Sequence, residues 1–196
     1  MNSNFLQDLP KATRILLLMN IALFILASLM PELTQTLALH YFESPLFMPH
    51  QTVSHIFMHS GLNHLIFNMY ALVMFGSLLE KQLDTKKFCL LYFFSAIGAF
   101  VLHMGIIWYQ LSDLPADVLA LIQTEGAEII AEGKNYTDDY LGNMNVKYNG
   151  MMVGASGAIM GLLISFAMLY PNDGLQIIFI PISIKAKYFI PIYMLI

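Results

Sequence analysis

The sequence predicts an all-α, polytopic membrane helix bundle, and three observations carry that prediction. Of the 196 residues, 58% are hydrophobic and only 11% are charged. A soluble domain carries roughly 25% charged residues, so this chain has too few to cover a water-facing surface. The apolar residues also gather into runs of membrane-spanning length, and the basic residues fall between those runs in an alternating pattern.

A spanning helix needs about 20 apolar residues at about 1.5 Å each. Four runs satisfy this: 12–30, 61–79, 88–111 and 151–170. Glu80 and Lys81 are expected to stop the second, and the turn signal at Pro171–Gly174 the fourth. A fifth run begins near Tyr188 and reaches only Ile196. As a helix it would cover only about 13 Å. A terminal carboxylate at that depth would cost at least ~2.5–3.5 kcal/mol, so the chain is expected to be a truncated form of a longer one. The predicted architecture is four complete spans and a partial fifth in one domain over 1–196.

Orientation follows from charge. Lys11 and Arg14 precede the first span, Lys81, Lys86 and Lys87 join the second and third, and Lys185 and Lys187 join the fourth and fifth. These are seven of the nine basic residues, and all lie on one side if the N-terminus is cytoplasmic. Residues 112–149 hold the other two, with seven Asp and Glu residues. This segment is expected to be an acidic external insertion. Leu114, Val118, Leu121, Ile122, Ile129 and Ile130 give it the pattern of an amphipathic helix on the membrane surface or capping the bundle. Asn135–Thr137 fits a glycosylation sequon, a triplet common by chance. A cleaved signal peptide is the alternative reading of the first span. Its apolar stretch is long for one, and no small-x-small site follows.

The net charge of −4 gives no support for nucleic-acid binding. The single Cys89 excludes an internal disulfide and Cys-based metal or redox motifs.

Two polar clusters interrupt the apolar runs. The first is His55, His59, His64 and Asn68 at the start of the second span. Such groups are costly in a membrane without partners or water. His55 and His59 are one i,i+4 pair, and His64 and Asn68 another, half a turn out of phase with the first. Ser60–Gly61 is a plausible break between them. His55 and His59 therefore belong to the preceding loop, as structural anchors through hydrogen bonds. His64 and Asn68 share an inward face of the second span. The second cluster is Ser156, set among Gly150, Gly154, Gly157 and Gly161 at the start of the fourth span. The topology places both clusters at similar depth near the external side. A serine nucleophile would there stand beside donors able to hold an oxyanion. Simpler readings exist: GxxxG spacings serve close helix packing, and a helix serine commonly bonds back to its own i−4 carbonyl. Glu80 is expected to tie the inner end of the second span to backbone N–H groups. His103 is expected to face a part of the third span unrelated to Ser156.

From about Pro49 onward the chain resembles the rhomboid intramembrane serine proteases. The resemblance rests on HxxxHxxxxHxxxN at His55, His59, His64 and Asn68, GSLLE at Gly76–Glu80, GASG at Gly154–Gly157, and the YPND and IPISIKAKYF segments. It implies that Ser156 is the nucleophile. His64 and Asn68, with the Ser156 N–H, would stabilise the oxyanion, and Gly154 and Gly157 would allow close packing and leave room for substrate. The 31–50 loop would lie partly in the outer leaflet. The implied partners are membrane-anchored protein substrates and the lipid bilayer, cut near the outer face, with no metal or cofactor. The short N-terminal tail points to a bacterial inner membrane. One departure stands out. The family's general base is a His on a sixth span, and no His follows His103. The chain as given is therefore expected to be inactive, and a parent carrying that His to be a protease.

Two rivals remain. A pseudoprotease would bind transmembrane segments without cutting, but retention of Ser156, His64 and Asn68 argues against it. A metal-binding membrane protein could use the ligand-like spacing of His55 and His59, but no carboxylate falls within a predicted span to neutralise an ion.

Overall fold

A computed structural model describes residues 5–176 and 183–195. The fold is a membrane helix bundle. Three helices are long and apolar enough to cross a membrane: Lys11–Leu29, Leu62–Leu83 and Thr85–Leu111. Their outward faces carry Ile15, Leu26, Phe67, Phe94 and Leu102 exposed, as lipid-facing surfaces must. A shorter apolar helix, Ser156–Leu169, buries Ala158, Ile159, Leu162, Leu163 and Phe166 among them.

The helix 62–83 continues past its expected stop, because Glu80 is not left uncompensated. It is 3% exposed. Its Oε1 accepts from the Ala12 N–H at 2.9 Å and the Thr85 hydroxyl at 2.7 Å. Its Oε2 accepts from the Thr13 N–H at 2.8 Å and hydroxyl at 2.9 Å. The carboxylate thus caps the orphan donors that open the first long helix, as expected. The expectation that no span holds a carboxylate is corrected by the same fact. Leu72–Gly76 within this helix forms a π turn, the kind of bulge that recurs near functional sites.

The helix 156–169 runs antiparallel to 85–111 at very short range. A Cβ on Gly157 would lie 2.5 Å from the Ala99 Cβ, and one on Gly161 would collide with Ser95. Small residues thus let the two backbones approach.

The expected fourth span, 151–170, is corrected at its start. Met152 and Leu39 exchange backbone hydrogen bonds at 2.8 and 2.9 Å as an antiparallel bridge, and Gly154 has φ +122°. Neither is compatible with a helix, which therefore begins at Ser156.

After the turn at 171–173, a hairpin that the hydropathy pattern did not reveal pairs Gly174–Gln176 with Ser183–Lys185. A helix, Ala186–Leu195, follows. The 180–182 part of the IPISIKAKYF segment, and Ile196, lie outside the described residues.

Residues 112–149 hold more helix than expected. One helix covers 116–131 with a π turn at Ile122–Gly126, and a second covers Asp139–Asn149, where Asp138 accepts from the Leu141 N–H. The second was hidden because its buried face is partly polar. Asn145 and Asn149 are fully buried and bonded: Asn149 donates to the Ile122 carbonyl and accepts from the Ser44 hydroxyl at 2.7 Å. Ile122 and Tyr148 pack with Leu39, Tyr41, Met104 and Ile107 into a second, smaller core. The segment caps one end of the bundle and holds the 38–48 loop in place. Asn135 of the sequon is engaged within it, donating to the Gly142 carbonyl at 2.9 Å.

Candidate active site

Three short stretches meet at the capped end. The first is the turn before helix 62–83. His55 donates its Nδ1–H to the Gln51 carbonyl at 2.7 Å, and its own carbonyl accepts from the Gly154 N–H at 2.9 Å. His55 thus anchors its loop, as expected, and also ties it to the approach to Ser156. His59 departs from expectation. Both its ring nitrogens are buried without a hydrogen-bond partner among the described residues, and its ring instead meets that of His64 edge-on, with centroids 5.1 Å apart. Burial, and then the neighbouring His64, push the His59 pKa down to about 4, so it is a neutral ring that props another ring.

The second stretch opens helix 62–83. His64 Nδ1 lies 3.0 Å from the Ser60 hydroxyl. With that hydroxyl donating, the ring proton sits on Nε2, which becomes a donor. Asn68 follows one turn later. It is 6% exposed, and its Nδ2 has no acceptor among the described residues. A buried amide donor without a partner is rare and calls for an explanation.

The third stretch is 152–157. Ser156 is the first residue of its helix, so its N–H belongs to the orphan donors of a helix start. Gly154 has the positive φ that favours glycine. A Cβ there would lie 2.8 Å from His64 Cε1 and Nε2 and 3.7 Å from Ser156 Oγ. The imidazole edge and the hydroxyl therefore border one small gap, kept open by the missing side chain.

On the other side of Gly154 and Ser156 lies a cavity of about 180 Å³, lined among others by His55, Ala99, His103 and Gly157. Neither His64 nor Asn68 lines it. Gly157 sits at the interface with helix 85–111 rather than facing His64. His103 corrects the sequence reading, since it shares this wall with Ser156. The signal was present in the spacing: Ser95, Ala99 and His103 recur every four residues, facing Gly161, Gly157 and then the turn before Ser156. Only the antiparallel pairing of the two helices gives that spacing meaning.

Among the described residues no group of three or more His, Cys, Asp and Glu side chains could hold a metal ion. His55 and His59 do not act as a pair, because the His59 ring turns to His64.

The family model of the Rhomboid domain matches residues 47–196. No curated protein matches the chain. The match covers both polar clusters and every helix from the second long one onward, and the chain belongs to the rhomboid family, the family of intramembrane serine proteases.

Proposed function

We propose that the chain carries the nucleophile and oxyanion hole of an intramembrane serine endopeptidase that cuts membrane-anchored protein substrates near the outer face. Ser156 Oγ attacks the scissile carbonyl carbon and gives its proton to a general base. The carbonyl π electrons move to oxygen, and the oxyanion is met by His64 Nε2–H, Asn68 Nδ2–H and the Ser156 N–H. Collapse of the tetrahedral intermediate expels the amine, which takes the proton. Water then releases the acyl group from Ser156.

The observation that supports this most is the gap at Gly154. A donor edge and a hydroxyl oxygen border it within 4 Å of one point, and a helix start supplies an unused N–H beside them. The unpartnered Asn68 donor supports it further. The base has no candidate after His103, so these 196 residues by themselves are proposed to be inactive. Loss of the base costs on the order of 10⁶-fold in subtilisin.

In this reading the N-terminus is cytoplasmic. Support comes from the end of the bundle opposite Ser156. Glu80 there binds Ala12 and Thr13, and the Tyr170 hydroxyl reaches Gln82. The basic segments around residues 11–14, 81–87 and 185–187 adjoin these contacts, as the positive-inside pattern requires.

The test is a serine-directed fluorophosphonate applied to native membranes that contain the protein. Wild type is expected to label and Ser156→Ala is not. Equal labelling of both would remove Ser156 from the role.

A further inference from the structure

A second cavity, of about 270 Å³, lies where the end of helix 85–111 meets the last turn of helix 139–149, and the proposed chemistry does not use it. Met104, Ile106, Ile107, Val146 and Met151 give it an apolar wall. Ile106, Val146 and Met151 are exposed, so the cavity opens to its surroundings through an apolar mouth. Trp108 and Tyr109 are exposed on the same end of helix 85–111, and such aromatic residues mark the level of the lipid headgroups. The mouth therefore opens at the bilayer interface.

Three polar side chains share this apolar cavity. His40 is 3% exposed and lines it. Its Nδ1 lies 2.9 Å from the Asn149 carbonyl. A carbonyl only accepts, so Nδ1 carries a proton and donates it. Nε2, on the opposite edge of the ring, has no hydrogen-bond partner among the described residues. An open polar atom on a side chain this deeply buried calls for a partner, and in a neutral ring Nε2 is an acceptor. Lys147 is half-buried, and its ammonium has no ion pair among the described residues. It stands two residues before Asn149, so the bond that fixes His40 also sets the imidazole beside the Lys147 turn. Tyr148, between them, packs with Ile107 and Leu111, which brings Gln110 of helix 85–111 to the same cavity. No carboxylate lines it. Asp138 and Asp139 open helix 139–149 at the end opposite Lys147.

We propose that this cavity binds one phospholipid with an anionic, hydroxyl-bearing headgroup, of the phosphatidylglycerol class. The phosphodiester accepts from the Lys147 ammonium and the Gln110 amide, and a headgroup hydroxyl donates to His40 Nε2. An acyl chain covers Ile106 and, one turn away, the exposed Leu102. A soluble anion would leave the apolar wall bare, and an acyl chain alone would leave Lys147 and His40 unmet. Basic pockets beside spanning helices hold lipid headgroups for the same reason. Leu39 and Met152, which bridge to each other, both line the cavity, so a bound lipid braces the segment that leads to Ser156. Binding depends neither on the protease reading nor on which side of the membrane this end of the bundle faces.

The test is native mass spectrometry of the purified protein in detergent micelles, titrated with phosphatidylglycerol and, separately, with phosphatidylcholine. One phosphatidylglycerol per chain is expected to stay bound when the micelle is removed. Phosphatidylcholine has no headgroup hydroxyl and no net charge, and should bind at least about tenfold more weakly. Lys147→Gln should weaken phosphatidylglycerol binding by at least about tenfold, the loss of one hydrogen bond to a charged group. Ile106→Trp fills the apolar wall without touching a polar contact and should weaken binding as well. Lys134→Gln should change nothing, since Lys134 pairs with Glu132 at 2.7 Å and does not line the cavity. Phosphatidylglycerol should also raise the unfolding temperature of wild type and Lys134→Gln more than that of Lys147→Gln. If Lys147→Gln lacks the helical circular dichroism of wild type, Gln110→Leu takes its place. Equal binding of the two lipids overturns the proposal, and so does wild-type affinity in folded Lys147→Gln or Ile106→Trp. A ladder of several bound lipids, the same in every variant, would be ordinary annular lipid and overturns it too. A wild type that binds no lipid and forms a dimer broken by Ile106→Trp would assign the face to a second copy of the chain, against the proposal.

Discussion

The edge of the His64 imidazole lies 2.8 Å from the position where a side chain on Gly154 would begin. Gly154 also holds φ +122°, where a side chain is strained regardless of space. Gly154→Ala therefore combines two penalties. We expect a stability loss of about 1–3 kcal/mol from the backbone alone. Displacement of His64 should lower Ser156 labelling by about 10²–10³-fold, as for loss of one oxyanion donor. Gly61→Ala is the matched control. Its φ of 176° is ordinary extended backbone, and nothing lies within 4 Å of the added carbon. Thermal unfolding in micelles and labelling of the two variants should differ sharply, and similar behaviour would defeat the account.

Glu80 lies inside a long helix, and its two carboxylate oxygens each accept two hydrogen bonds. Glu80→Gln keeps the shape but turns one acceptor into an NH₂ group facing donors. Bonds to charged groups contribute about 1.5–3 kcal/mol each, and an unpaired buried donor adds its own penalty. A loss of about 3 kcal/mol or more is expected in denaturant titration, against about 1 kcal/mol for Thr13→Ala. A Glu80→Gln variant as stable as wild type would show that the carboxylate is not what joins the two helices.

How much of this was legible in the sequence depended on whether the deciding contact was local. The long helices could be read because apolar length alone decides them. The i,i+4 pairing of His64 with Asn68 is local, and so is the break at Ser60–Gly61. The start of the fourth helix was misplaced because it is set by Leu39, more than a hundred residues from Met152. The helix Asp139–Asn149 was missed because its buried face is built of asparagines. Their partners, Ser44 and the Ile122 carbonyl, are distant in sequence. His103 was misjudged because its neighbour is fixed by the antiparallel register of Gly157 and Gly161 against Ala99 and Ser95. No single run of residues records that register.

That register makes a prediction of its own. A Cβ on Gly157 would sit 2.5 Å from the Cβ of Ala99, well inside contact distance. Gly157→Ala should cost about 1–3 kcal/mol through overpacking. Ala99→Gly removes the atom it strikes, so the double variant should recover most of the loss. A coupling energy of about 0.5–3 kcal/mol is expected for residues in contact. Strictly additive effects in denaturant titration would mean that the helices do not meet at this pair.

Asn68 and Asn149 are both buried asparagines, and they should behave in opposite ways. The Asn149 amide donates to the Ile122 carbonyl and to Asn145, and it accepts from Ser44. Its truncation leaves buried groups unpaired and should cost about 1–3 kcal/mol of stability. The Asn68 Nδ2 has no acceptor to lose among the described residues. A donor held without a partner in the resting protein contributes little to folding, and its energy is available when negative charge develops beside it. Asn68→Ala should therefore shift stability by less than about 1 kcal/mol and lower turnover by about 10²–10³-fold in native membranes. The loss should fall on kcat more than on KM, since the bond forms in the transition state rather than in the bound substrate. Unchanged turnover in Asn68→Ala would remove Asn68 from the oxyanion hole. A stability loss as large as that of Asn149→Ala would show instead that its amide is a structural bond.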